Sequence, residues 1–237
     1  MKVVRVSECG EFVRVCVYTR GTRWDSPQAK KQKQEWRKEA WQKINFRNCR
    51  EKLEDRIFCN FRTDDWHVYF SLAPEYNTTD YKTLRNYWRR ALQRLRAARK
   101  ARGAPAPVYI YVLEGLHGDR RYHVHALIQA TEGNDIEELH SCWPYGLVEP
   151  TPIENFEHKD HLSQYLTKEP EKFGRDRGDR NLFVASHNCI KPTISSYLVS
   201  DDADISLPPG AQILHSDRSE NAFGVFQYLK YRRPLPS

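Results

Sequence analysis

Residues 114–129, EGLHGDRRYHVHALIQ, constrain the fold more than any other stretch of the chain. Two β-rich runs, PVYIYVLEGL and RRYHVHALIQ, flank Gly118-Asp119, the pattern of a two-residue hairpin turn. With Gly118 and Asp119 as the loop, Glu114 faces His123 across the pair and Val112 faces His125. Strand side chains alternate between faces, so His123 and His125 share one face and Val124 takes the other. Directly opposed residues of an antiparallel pair also share a face, with β-carbons about 4.5–5.5 Å apart. Two imidazoles and a carboxylate are therefore expected on one patch, a donor set suited to a divalent cation with open positions for substrate oxygens. A register one residue off would turn Glu114 to the other face. His117, Asp119 and His161 are the competing third ligands, each needing a loop bend or a helix approach. An H-x-H pair taken alone also fits an ordinary polar sheet face.

Downstream, Asn155 is placed to cap a helix that Pro170 ends after HLSQYLTKE. Leu162 and Leu166 mark its buried side, and His161, Tyr165 and Lys168 fall within roughly 60° of one another beside it. Upstream, Thr79 or Asp80 caps a long helix reaching about Arg102, with Leu84, Trp88, Leu92 and Leu95 on one face. Its other positions are dense in Lys and Arg, with no acid after Asp80. Such a run repels itself unless something negative lies against it, and phosphate backbone is the natural candidate beside a plain solubilising face. The candidate DNA contacts are Lys82, Arg85, Arg89, Arg90 and Arg94 here, Arg120 and Arg121 after the turn, and Arg180 beyond the tyrosine helix.

These segments, in this order, resemble the HUH endonucleases, in particular the rolling-circle replication initiators of bacterial phages, plasmids and integrative elements. The resemblance is carried by Glu114-x8-His123-x-His125 and by Tyr165-Leu166-Thr167-Lys168, similar to that family's His-hydrophobic-His strand and Y-x-x-K helix. NCREKLEDRIFCNF followed by DDWHVYFSL resembles the approach to their first strand, although Ser71 and Ala73 stand where threonines are commoner. RNLFVASHNCIKP resembles their Arg-aromatic-x-x-Ser…Pro segment, so the likeness spans most of residues 44–192. It implies an α+β fold, an antiparallel sheet of about five strands with helices packed on one side and the metal patch on central strands. It implies Mn²⁺ or Mg²⁺ at His123, His125 and Glu114, with Tyr165 as the catalytic nucleophile. Lys168 would then either favour the ionised phenol, which ordinarily titrates near 10, or steady the phosphorane. The implied reaction nicks and rejoins single-stranded or hairpin origin DNA through a 5′-phosphotyrosine, with a host helicase and DNA polymerase as partners. A monomer or weak dimer is expected. The alternatives are a single-tyrosine transposase, a relaxase, or a non-catalytic nucleic-acid-binding module that stacks bases on Tyr109 and Tyr111 of an exposed sheet face.

The rest of the chain frames this core. The expected divisions are 1–56, an N-terminal hairpin around Cys9-Gly10 and a basic helical extension; 57–200, the nickase domain; and 201–237, a linker and closing hairpin packed on the same domain. The extension, helical from Gln28 to about Arg56, is either a solvated helix clamped to the domain or a DNA-contacting arm. His67, in the strand WHVYFSL, reads as a strand-edge histidine, with a supporting role to the ligands as the other possibility. His140 reads as a surface residue of a short helix, DIEELHSCW. Lys and Arg outnumber Asp and Glu by 38 to 31, a formal charge of +7 that mildly favours a polyanionic partner. MKVVRVSECGEFVRV carries charges where a signal peptide is apolar, and the six cysteines are scattered without a C-x-x-C pair. Reduced thiols and a cytoplasmic location are the expectation. No glycine-rich phosphate loop of a motor ATPase is present.

Overall fold

The computed structural model describes residues 1–19, 45–115, 122–168, 182–203, 206–221 and 224–234. In chain order the elements are β1 (Lys2–Cys9), β2 (Phe12–Thr19), α1 (residues 45–60), β3 (Trp66–Ser71), α2 (Tyr81–Ala101), β4 (Tyr109–Glu114) and β5 (His123–Ile128). There follow α3 (Asp135–Cys142), β6 (Val148–Pro152), α4 (Phe156–Tyr165), β7 (Val184–Ala185), β8 (Thr193–Val199), β9 (Gln212–Asn221) and β10 (Gly224–Arg232). They form an α+β protein with two antiparallel five-stranded sheets, each in its own compact unit.

The first unit takes residues 1–48 and 191–237. Cys9 pairs with Phe12 across a turn at Gly10-Glu11, where Gly10 sits at φ +63°, a conformation glycine adopts without Cβ strain. Alternation along β1 and β2 sends Val4, Val13, Val15 and Val17 into a small core with Leu229 and Tyr231. The strand order is β8-β1-β2-β10-β9. The C-terminal segment, expected to pack on the 57–200 domain, shares a sheet with the N-terminal hairpin instead, and the chain divides at 48/49 and 190/191. An isolated two-stranded ribbon leaves both edges unpaired and is marginal in water, so β8 and β10 complete it. The closing hairpin is expected to turn near Ser219 to Asn221, but these residues belong to β9, where Asn221 pairs with Gly224. Most of the expected basic extension, including Trp36 and Trp41, lies outside the described residues.

The second unit, Cys49–Ile190, carries the sheet β6-β3-β5-β4-β7. Val68, Phe70, Val124, Ala126, Ile128, Tyr109 and Tyr111 project from one face into a core closed by Leu84, Trp88, Leu92 and Leu95 of α2 and by Leu139 of α3. Of the two expected caps it is Asp80 that caps α2, accepting from the Lys82 and Thr83 amides. The opposite face is covered at one end by Leu53 and Ile57 of α1 and Leu162 of α4, packed on Ile110, Val112 and Leu127. Helices therefore lie on both faces, not on one side as expected, because β4 and β5 are buried on both and Ile110, Val112 and Leu127 make one end of the second face apolar. Tyr109 and Tyr111 are buried against α2, which corrects the expectation of an exposed base-stacking face there. The end of β3 is fixed by close backbone approach. A Cβ on Gly146 would fall 2.2 Å from the Ser71 carbonyl oxygen, which also accepts from the Trp143 indole at 2.8 Å.

Candidate active site

The β4–β5 register pairs Glu114 with His123 and Val112 with His125, as the hairpin argument requires. The turn itself, with His117, Asp119, Arg120 and Arg121, lies outside the described residues, as does Arg180. Glu114, His123 and His125 are all buried, and one ligand atom from each lies within 4.8 Å of the others. Glu114 Oε2 is 3.3 Å from His123 Nε2 and 3.6 Å from His125 Nε2. Glu114 Oε1 is buried with no hydrogen-bond partner among the described residues. A buried carboxylate oxygen without a partner is costly in a metal-free site, and a hard cation would satisfy it. Two imidazole nitrogens and a carboxylate are a donor set for such an ion with open positions. The residues fit the metal that the sequence reading expects.

Strand β3 completes the patch. It lies between β5 and β6, so Tyr69 pairs with His125 on one side and Glu149 on the other, and Ser71 pairs with His123. His67, opposite Thr151, shares that face. It is an interior-strand residue, not the strand-edge histidine expected. Its Nε2 is 3.3 Å from His125 Nδ1, with the rings stacked at 5.4 Å. The Tyr69 ring lies 5.1 Å from that of His123 and 5.2 Å from that of His125. Burial, with the neighbouring His158 and Lys168 charges, lowers His67 to about 4. Burial, then His67, His123 and Lys168, lowers His125 to about 2. Both stay neutral at physiological pH, the form that ligates cations.

The tyrosine arrives on α4. Asn155 caps this helix by accepting from the His158 amide at 2.7 Å. Leu162 and Leu166 are buried as predicted, and the Lys159 ammonium donates to the Phe61 carbonyl at 3.2 Å while lying over the Phe58 ring. The helix ends at Tyr165, before the expected stop at Pro170. Thr167 turns its hydroxyl back to the Ser163 carbonyl at 2.8 Å in that closing turn. Tyr165 is thus on the final turn, 41% exposed. Its ring meets His125 edge-on at 5.3 Å and His67 at 5.6 Å. Lys168 Nζ lies 3.8 Å from the Tyr165 ring centroid. These side chains open on a cavity of about 560 Å³, which Glu149 and Thr151 also line. His161 is exposed and does not line it.

The cationic helix divides in two. Lys82, Arg85, Arg89 and Arg90 are exposed. Arg94 donates to the Cys142 carbonyl at 3.3 Å and to the Tyr145 hydroxyl at 3.4 Å. Arg96 donates to the Tyr109 hydroxyl at 2.8 Å. Arg99 is buried between Asp135 at 3.3 Å and Glu138 at 3.7 Å, and Arg102 pairs with the same two acids. The negative charge sought for this helix is therefore supplied, for its C-terminal part, by the first turn of α3. His140 is exposed there, as expected.

Sequence reasoning passed over Tyr69 and assigned His67 to an edge. The alternation in His67-Val68-Tyr69-Phe70-Ser71 places His67, Tyr69 and Ser71 on one face, a legible signal. The pairing of that face with His123 and His125 depends on which strand lies beside β5, a long-range fact. Comparison with known protein families, curated proteins and solved structures found no match to this chain.

Proposed function

We propose that the chain is a metal-dependent nickase and strand transferase for single-stranded DNA, of the HUH rolling-circle initiator type. One observation carries the reading: the Tyr165 ring stands 5.3 Å from that of His125, and both line the cavity with His123, the two imidazoles belonging to the buried cluster with Glu114. Glu114, His123 and His125 would hold Mn²⁺ or Mg²⁺, which when bound offsets charge on the oxygens of a scissile phosphate. Tyr165 Oη forms a bond to phosphorus while the bond from phosphorus to the 3′ oxygen breaks. The phenolic proton passes to solvent, and the departing 3′ oxygen takes one up. The 5′ phosphate stays on Tyr165, so the ester energy is kept and rejoining needs no nucleotide. Lys168 supplies positive charge beside the phenol and the incoming phosphate. A 3′ hydroxyl is the end a polymerase extends, so a host helicase and polymerase and a cytoplasmic setting belong to this reading. Among the described residues, no helix is long and apolar enough to cross a membrane. Burial of Tyr109 and Tyr111 removes the aromatic face on which the non-catalytic alternative rested.

The test uses single-stranded DNA from the region flanking the gene, incubated with the protein and Mn²⁺. A covalent adduct should form and map by mass spectrometry to Tyr165. Tyr165→Phe should bind the same DNA and form none. An adduct at the exposed Tyr197, or undiminished nicking by the variant, overturns the assignment.

A further inference from the structure

We propose that His67 is a positioning residue that holds His125 in the tautomer able to ligate a cation. The inference rests on the metal-binding part of the reading above and not on the nicking reaction. The two ring nitrogens of His125 face different partners: Nε2 lies 3.6 Å from Glu114 Oε2, and Nδ1 lies 3.3 Å from His67 Nε2. Of the two, Nε2 is the nitrogen turned toward the Glu114 carboxylate, and so the one placed to share a cation with it. A neutral imidazole has one donor and one acceptor nitrogen, so Nε2 is free to ligate only when the proton resides on Nδ1. Nδ1–H then needs an acceptor, and His67 Nε2 is the atom in place. His67 accepts at Nε2 and carries its own proton on Nδ1.

This accounts for a histidine, rather than an aliphatic residue, at a strand position covered by neighbouring side chains. The Tyr165 ring meets both imidazoles edge-on, His67 at 5.6 Å and His125 at 5.3 Å, so the three rings form one contact group. Outer partners of metal-bound histidines fix tautomer and ring orientation, and their loss weakens metal affinity by about 10–100-fold.

The experiment compares the full chain with His67→Gln and His67→Phe. Gln keeps an acceptor oxygen on a flexible arm, whereas Phe keeps the ring and no acceptor. Mn²⁺ affinity is measured by calorimetry in the absence of DNA, and the tautomer of His125 by long-range ¹H–¹⁵N correlation spectra of the metal-free protein. The wild type should show His125 protonated at Nδ1. His67→Phe should shift His125 toward the Nε2–H form and weaken Mn²⁺ binding by about 10–100-fold, with His67→Gln within a few-fold of the wild type. Wild-type Mn²⁺ affinity in His67→Phe, or an Nε2–H tautomer in the wild type, overturns the proposal. So does a wild type that binds no Mn²⁺. Loss of affinity in Phe and Gln alike shows a merely structural histidine and also overturns it. A wild type that binds Mn²⁺ with this pattern yet forms no DNA adduct would leave His67 assigned and sink the nickase reading alone.

Discussion

At the scale of single residues, the buried Glu114 carboxylate is the most informative atom group. Its Oε1 has no partner among the described residues, and its Oε2 faces both imidazoles. Such a group is expensive unless a cation or a proton completes it. Glu114→Gln should weaken Mn²⁺ binding by at least about 100-fold, beyond the range for an outer partner, and leave DNA affinity in EDTA nearly unchanged. Calorimetry with Mn²⁺, followed by a DNA titration in EDTA, checks both halves. Equal Mn²⁺ affinity in the variant would remove Glu114 from the ligand set while leaving the two histidines. The cluster was legible because one turn sets one register, and one register places three side chains on one face. His67 was not, because a histidine in an alternating strand says nothing of the strand beside it. Cys142 makes a separate residue-scale case. Burial pushes its thiol up to about 12, and its sulfur donates to the Leu139 carbonyl. Alkylation at pH 8 should spare Cys142 in the folded protein and reach it only after denaturation, read by mass spectrometry of tryptic peptides. Rapid labelling of the native thiol would contradict that burial.

At the scale of elements, α2 shows both what periodicity tells and what it withholds. Its apolar stripe and its cap were readable from spacing and from Asp80. The fate of its cations was not, since it turns on α3 delivering Asp135 and Glu138 to the far end. Of the candidates on this helix, Lys82, Arg85, Arg89 and Arg90 are exposed toward its N-terminal end, ahead of the acids of α3, and form the phosphate-facing set to test. Replacing Arg85, Arg89 and Arg90 with Gln should weaken binding to unrelated and flanking single strands alike. The salt slope should fall by about 0.7 for each phosphate that the variant no longer neutralises. Unchanged affinity and slope would make that face a solubilising one. Arg99 is predicted to behave oppositely. Arg99→Met leaves Asp135 and Glu138 with Arg102 as their cationic partner and should cost about 2 kcal/mol of stability, seen in urea unfolding, with no direct effect on the salt slope. Helix α4 repeats the lesson: the buried leucines follow from the 3.6-residue period, while its end at Tyr165, ahead of Pro170, does not.

At the scale of the whole molecule, the non-local pairings were the least legible. Nothing in a local pattern tells that β8 joins β1 or that β10 joins β2, because each pairing closes a long loop whose partners are generic alternating strands. The result is a unit built from both ends of the chain, with Leu229 and Tyr231 of β10 in the same small core as Val13 and Val15 of β2. Every ligand candidate, the tyrosine helix and the strands that carry them belong instead to Cys49–Ile190. A chain ending at residue 211 lacks β9 and β10 and exposes β2 as a bare edge, the template for aggregation that natural sheets avoid. That truncation should therefore lose the unfolding transition of the first unit and aggregate more readily on heating. Its Mn²⁺ affinity should stay within a few-fold of the full chain, because none of Glu114, His123, His125 or His67 pairs with the removed strands. Calorimetric unfolding followed by an Mn²⁺ titration of the soluble fraction separates the two. If the truncated protein remains folded in the second unit, as judged by near-UV circular dichroism, yet binds no Mn²⁺, then the metal cluster depends on the terminal strands and its assignment to the second unit alone is wrong.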